Sequence, residues 1–176
     1  MMTVTSAVDA YEEYAAGAWP GLYRLAYLLA GNHADAEDLA QQTLLKVYRN
    51  WQRVEASGSP DAYVRRMLTN TFISSRRPVR LRREVLSERL PDVAAVSGEP
   101  GREDRMLLWP HVRDLPPRQR AVVVLRYYED LSEQQIADTL GCSTGTVKST
   151  AHKAIRSLRA RLEGATGPTG TPETEA

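Results

Sequence analysis

This chain has very little with which to bind a metal or form a covalent cross-link. Its 176 residues include one cysteine and three histidines. With a single thiol, Cys142, an intramolecular disulfide and any cysteine-based zinc site are excluded, and a reducing cytoplasm fits. His33, His111 and His152 are scattered, and no Glu-x-x-His pair is present from which a dimetal helical site could be assembled. His33 and Glu37 lie one helical turn apart, but a surface histidine near a helix start accounts for that. Neither enzyme chemistry nor a cofactor is therefore expected. Long apolar runs are missing too. The longest, such as Leu25 to Ala30, fall far short of the ~20 residues needed to cross a bilayer. The first basic residue is Arg24, so no basic segment leads into an apolar one, and neither export nor membrane insertion is expected. A net charge of +1, from 23 basic and 22 acidic side chains, argues against a uniformly basic coating protein. Composition is that of an ordinary globular chain of one or two small domains, with 42% hydrophobic residues. Charge is informative only segment by segment.

The most organised segment is LSEQQIADTLGCSTGTVKSTAHKAIRSLRARL, Leu131 to Leu162. Ser132 and Gln135 have the spacing of a reciprocal capping box, which places a helix start at Ser132. Ile136, Ala137 and Leu140 share one face, Gly141 stands where a left-handed C-cap is wanted, and Ser143 can cap the next helix. The apolar residues of that second helix, Val147, Ala151, Ala154, Ile155 and Leu158, recur at helical spacing, and small Ala137 permits a close crossing. This is a helix-turn-helix pattern. From Thr144 to Leu162 there are five basic residues (Lys148, Lys153, Arg156, Arg159, Arg161) and no acidic one. Such a helix seeks phosphates, and in this motif its N-terminal part enters the major groove. Thr144, Thr146, Lys148, Ser149 and His152 are then expected at base edges, with Lys153 and Arg156 on the backbone.

The first half reads as helices joined by short turns. One spans Tyr11 to Ala30, interrupted or re-phased near Pro20, with Leu22, Leu25, Ala26, Leu28 and Leu29 as its buried stripe. A second runs from Ala34 to about Trp51, with Ala36, Leu39, Ala40, Thr43, Leu44 and Val47 at i, i+3, i+4 spacing. Asp35, Glu37 and Asp38 crowd its first turn, where the helix dipole favours them. Gln41 and Gln42 extend the same face, which could meet a basic partner helix. After a loop at Glu55 to Asp61, a third helix covers Ala62 to Arg76. Residues 62 to 83 contain seven arginines and no carboxylate. Basic residues beside the aromatics Trp51, Tyr63 and Phe72 suit single-stranded nucleic acid, although Trp51 and Phe72 also fit a core at this spacing.

From Pro78 to Gly101 the proline and glycine content rises and periodicity fades, which predicts a linker with one helical turn near Arg83 to Arg89. Helices resume over Arg102 to Asp114 and, opened by Pro116 and Pro117, over Arg118 to Tyr128. The Gly-, Pro- and Thr-rich end predicts a disordered tail. The expected fold is all-α: two small helical domains, residues 8–78 and 103–163, joined by a flexible linker, 79–102, and followed by a tail, 164–176.

These segments together resemble bacterial RNA polymerase sigma factors of the extracytoplasmic-function type. GNHADAEDLAQQTLLKVYRNW (Gly31 to Trp51) resembles the core-binding part of region 2, AYVRRMLTNTFISSRR (Ala62 to Arg77) the helix that recognises and melts the minus-10 element, and DLPPRQRAVVVLRYYEDLSEQQIADTLGCSTGTVKS (Asp114 to Ser149) region 4, which reads the minus-35 element. The resemblance implies that Asp35, Glu37, Asp38, Gln41, Gln42 and Leu44 dock on core polymerase, at the clamp of its largest subunit, with the flap as a further contact. It implies a minus-10 site of Trp51, Arg53, Tyr63, Arg65, Arg66, Asn70, Arg76 and Arg77. It also implies promoter DNA as ligand and an anti-sigma factor as a partner. The chain departs from the family pattern at Tyr63, Leu68, Thr69, Ser74, Thr150 and Ala151, which bears on promoter preference. A helix-turn-helix regulator acting without polymerase is the alternative, but residues 1–78 show no receiver-like alternation of strand and helix.

Overall fold

The computed structural model describes residues 4–75 and 102–165. Arg76 and Arg77, the linker except its last residue, its expected helical turn and the tail beyond residue 165 lie outside this set. Among the described residues all regular structure is helical: α1 (Val4–Ala30), α2 (His33–Arg49), α3 (Trp51–Glu55), α4 (Pro60–Ser75), α5 (Arg102–Arg113), α6 (Pro117–Tyr127), α7 (Glu133–Leu140) and α8 (Thr144–Ala165).

Helix α1 runs unbroken through Pro20, contrary to the expected interruption. Pro20 sits on the exposed side, while Leu22, Leu25, Ala26 and Leu29 continue the buried stripe beyond it. Burial at roughly 2 kcal/mol per large apolar side chain outweighs the ~3 kcal/mol cost of an internal proline. Gly31, at φ +89°, turns the chain, and Asn32 caps α2 by accepting from the Asp35 backbone N–H at 2.9 Å. Helix α2 buries Ala36, Leu39, Ala40, Thr43 and Val47 and ends at Arg49. Trp51 therefore opens the short α3 rather than closing α2. Helix α4 buries Val64, Leu68 and Phe72 against α1 and α2.

In the second half, Pro117 occupies the first turn of α6, where its missing N–H costs nothing. Ala121 to Leu125 form the buried side against which α7 and α8 pack. The two halves share one continuous core. Tyr27 stacks on Trp109 with centroids 5.9 Å apart. Arg120, only 7% exposed, donates from Nη1 to the carbonyl of Leu29 at 2.7 Å and of Ala30 at 3.4 Å, and from Nη2 to that of Leu115 at 3.2 Å. Its guanidinium lies 5.6 Å from the Phe72 ring centroid. A cation from α6 thus satisfies the C-terminal carbonyls of α1, groups that no helix can pair internally. Arg24 and Glu129 add an ion pair at 2.6 Å. Helix α4 lies against α7.

Candidate nucleic-acid and polymerase interfaces

The helix-turn-helix forms as its local chemistry dictates. The Gln135 backbone N–H donates to Ser132 Oγ at 3.2 Å, and the Ser132 N–H donates to Gln135 Oε1 at 2.9 Å, so both halves of the capping box are made. Gly141 adopts φ 62°, ψ 42°, the left-handed conformation that ends α7. Ser143 Oγ accepts from the Thr146 N–H at 3.1 Å and starts α8. Val147, Ala151 and Ala154 are buried, leaving Thr146, Lys148, Ser149, His152, Lys153 and Arg156 exposed and Thr144 half-buried. Some of these groups are already engaged: Ser149 Oγ donates to the Thr146 carbonyl at 3.0 Å, and His152 Nε2 lies 3.2 Å from an Arg156 nitrogen. The basic face is also less uniform than its own segment suggests. Glu133, from α7, meets Lys148 at 3.4 Å and Arg126 at 3.2 Å, and Asp114 meets Arg161 at 3.5 Å. Such exposed pairs are worth little and yield readily to phosphate. Lys153 and Arg159 make no ion pair among the described residues.

On α4, Tyr63, Arg66 and Asn70 come together as expected, in a recess of about 500 Å³ between α2 and α4. Lys46, Met67, Thr71 and Ser74 complete its lining, and none of these was anticipated as a site residue. Lys46 Nζ donates to Thr71 Oγ1 at 2.9 Å across a separation of 25 residues, so only the packing of α2 on α4 reveals it. Arg53 is exposed on α3. Arg65 instead lines a different recess, of about 520 Å³, with Arg24, Asp61 and Glu129. Trp51 must be corrected: it is a core residue, 8% exposed, packed by Tyr11 at 5.8 Å and Tyr14 at 5.2 Å between centroids, and offers no face to a base. Tyr14 is held there by donating to Asp61 Oδ1 at 2.9 Å, and burial pushes its hydroxyl pKa far up.

On α2, Asp35, Glu37, Asp38, Gln41 and Gln42 are all exposed. Gln41 Nε2 donates to Glu37 at 3.2 Å and Gln42 Nε2 to Asp38 at 3.3 Å, which holds both carboxylates along one outward strip. Leu44 is the second correction. It packs partly into the core, with its carbonyl accepting from Tyr11, and its neighbour Leu45 is the outward residue at 52% exposure, beside Tyr48 at 48%. One residue turns the helix by about 100°, so adjacent leucines face different ways.

Among the described residues no cluster of His, Cys, Asp and Glu could hold a metal, and no helix is long and apolar enough to cross a membrane. Residues 9–82 match the family Sigma-70 region 2, and residues 112–158 match Sigma-70, region 4. The chain is 40% identical over 153 residues to the RNA polymerase sigma-E factor of Streptomyces avermitilis, covering 87% of this chain and 85% of the relative. It is 37% identical to the ECF RNA polymerase sigma factor SigL of Mycobacterium tuberculosis, covering 87% and 86%. Its fold is similar to that of the sigma factor RpoE solved in complex with the anti-sigma factor NepR from Bartonella quintana, with a TM-score of 0.61 at 23% identity over 88% of this chain and 97% of that one. The chain belongs to the RNA polymerase sigma factors of the extracytoplasmic-function (ECF) type.

Proposed function

We propose that this sigma factor binds core RNA polymerase in the cytoplasm and directs promoter-specific initiation through two DNA-reading surfaces, without covalent chemistry of its own. The outward strip of α2, with Asp38, Gln41, Leu45 and Tyr48, docks on the clamp of the largest polymerase subunit. Region 4, residues 103–163, contacts the flap and sets α8 into duplex minus-35 DNA, with Lys153 and Arg156 on phosphates and the start of the helix over base edges. The recess at Tyr63, Arg66 and Asn70 takes an unpaired minus-10 base. Unpairing costs a few kcal/mol per base, and stacking on Tyr63 at ~1–3 kcal/mol together with hydrogen bonds offsets it.

The observation that carries this reading is the coexistence, on one 176-residue chain, of an exposed acidic strip on α2, a recess of about 500 Å³ bearing Lys46 and Arg66, and a basic helix-turn-helix. A regulator acting alone needs only the last. The closed arrangement also limits the mechanism. The minus-35 and minus-10 elements lie ~25 base pairs apart, about 85 Å at 3.4 Å per pair, whereas a compact chain of this length has a diameter of only ~40 Å. Promoter engagement therefore requires the two halves to separate, with polymerase holding them apart and an anti-sigma factor competing for the separated surfaces. In vitro transcription with core polymerase tests the whole: promoter-specific transcripts from templates of the source genome are expected, and their absence on every template refutes the reading.

A further inference from the structure

The minus-10 recess carries a cation that none of its assigned roles uses. Lys46 comes from α2, one turn beyond Gln42 on the helix that bears the acids, and its ammonium reaches over to α4 and donates to Thr71 Oγ1 at 2.9 Å. Thr71 is 8% exposed, and its own hydroxyl proton is directed to the Met67 carbonyl at 2.8 Å. The threonine oxygen is thereby left as an acceptor, which holds the ammonium at the recess with N–H donors still to offer. No carboxylate lines the recess, and Lys46 makes no ion pair among the described residues. Arg66 and the Asn70 amide lie on the same wall. The lining is thus rich in donors and poor in strong acceptors.

We propose that Lys46 is a specificity-determining residue, selecting for the recess an unpaired base that carries a carbonyl oxygen (cytosine, thymine or guanine) over adenine. This rests on the proposed minus-10 role of the recess. Adenine has no exocyclic oxygen. It offers Lys46 and Arg66 only ring nitrogens flanked by an amino donor, weaker acceptors than a carbonyl oxygen, which gains a charge-assisted hydrogen bond there. A lysine that met only phosphate would strengthen binding equally for every base.

The test is fluorescence anisotropy of the reconstituted holoenzyme on fork-junction DNA selected in vitro for this sigma factor, with each unpaired minus-10 position replaced in turn by all four bases and by an abasic site. Wild type is expected to disfavour adenine about tenfold at one position. Lys46→Met, which keeps the aliphatic stem, should abolish that preference and leave abasic binding unchanged, Lys46→Arg should retain part of it, and Thr71→Val should weaken it. Circular dichroism checks that the variants fold. Equal loss by Lys46→Met on every base and on the abasic site, or an undiminished preference in that variant, overturns the inference alone, as does a wild type that favours adenine at every position. A wild-type holoenzyme with no more affinity for fork DNA than core polymerase overturns the sigma-factor reading of the recess together with it.

Discussion

Replacing Arg120 by methionine should separate the two halves of the molecule. The side chain is 7% exposed and donates to three carbonyls, of Leu29, Ala30 and Leu115. Methionine fills much of the same volume, so the main losses are electrostatic. A hydrogen bond from a charged donor contributes ~1.5–3 kcal/mol, and each carbonyl left buried and unpaired costs ~1–3 kcal/mol. Removing a desolvated guanidinium returns several kcal/mol of that. The 3.4 Å and 3.2 Å contacts are weaker than the one at 2.7 Å, so a net loss of about 3 kcal/mol is expected. Because the Leu29 and Ala30 carbonyls end α1 and Arg120 lies on α6, that loss falls on the contact between halves. Urea unfolding followed by tryptophan fluorescence reads this directly, since Trp19 and Trp51 report on the first half and Trp109 on the second. Wild type should unfold in one transition and Arg120→Met in two. A single transition shifted by less than ~1 kcal/mol would show that Arg120 does not join the halves.

Other outcomes follow from single groups. The Glu129 pKa is raised above its ordinary 4.5, first by burial, with the Arg24 and Arg65 charges opposing. The closed form therefore binds the Glu129 proton more tightly than the open one. Closure is fully favoured below the ordinary value and weakens as pH rises through the raised one, and Glu129→Gln should remove that slope in an interdomain energy-transfer titration. Asp38→Arg should abolish co-purification with core polymerase while helical content is unchanged; retained binding would remove α2 from the docking role. Lys153→Ala should weaken binding to all promoter sequences alike and lower the salt slope by about one, and an unchanged slope would place its ammonium off the phosphates. Gly141→Ala forces a Cβ into φ 62° and should lower stability by about 1 kcal/mol in thermal unfolding.

What could be read from sequence was local. The capping box, the left-handed glycine, the proline at the start of α6 and the buried stripe of α2 each depend on residues within a turn or two, so spacing alone specifies them. What escaped depends on which face meets which. Trp51 looks the same in sequence whether it stacks on a base or packs between Tyr11 and Tyr14. Leu44 and Leu45 are chemically alike, and only the packing of α2 decides which faces out. Lys46 reads as a solvated helix residue until α4 is laid beside it. Glu133 belongs to one helix and neutralises another. Arg120 defies hydropathy, since its partner Leu29 is 91 residues away and an arginine is ordinarily expected outside.

The contact between halves has a functional consequence that can be put in numbers. If polymerase binds only the open form, its apparent affinity is the intrinsic affinity multiplied by the open fraction. A closed state favoured by about 3 kcal/mol leaves well under 1% open and weakens apparent binding about 150-fold. Arg120→Met, which removes up to that much from closure and touches neither the α2 strip nor α8, should then bind core polymerase up to about 100-fold more tightly than wild type. The gain should appear mainly in the association rate, because the open fraction limits encounter whereas the bound complex is the same in both proteins. Surface plasmon resonance on immobilised core polymerase distinguishes the cases. A variant that is less stable yet associates no faster would mean that polymerase engages the closed form and opens it afterwards.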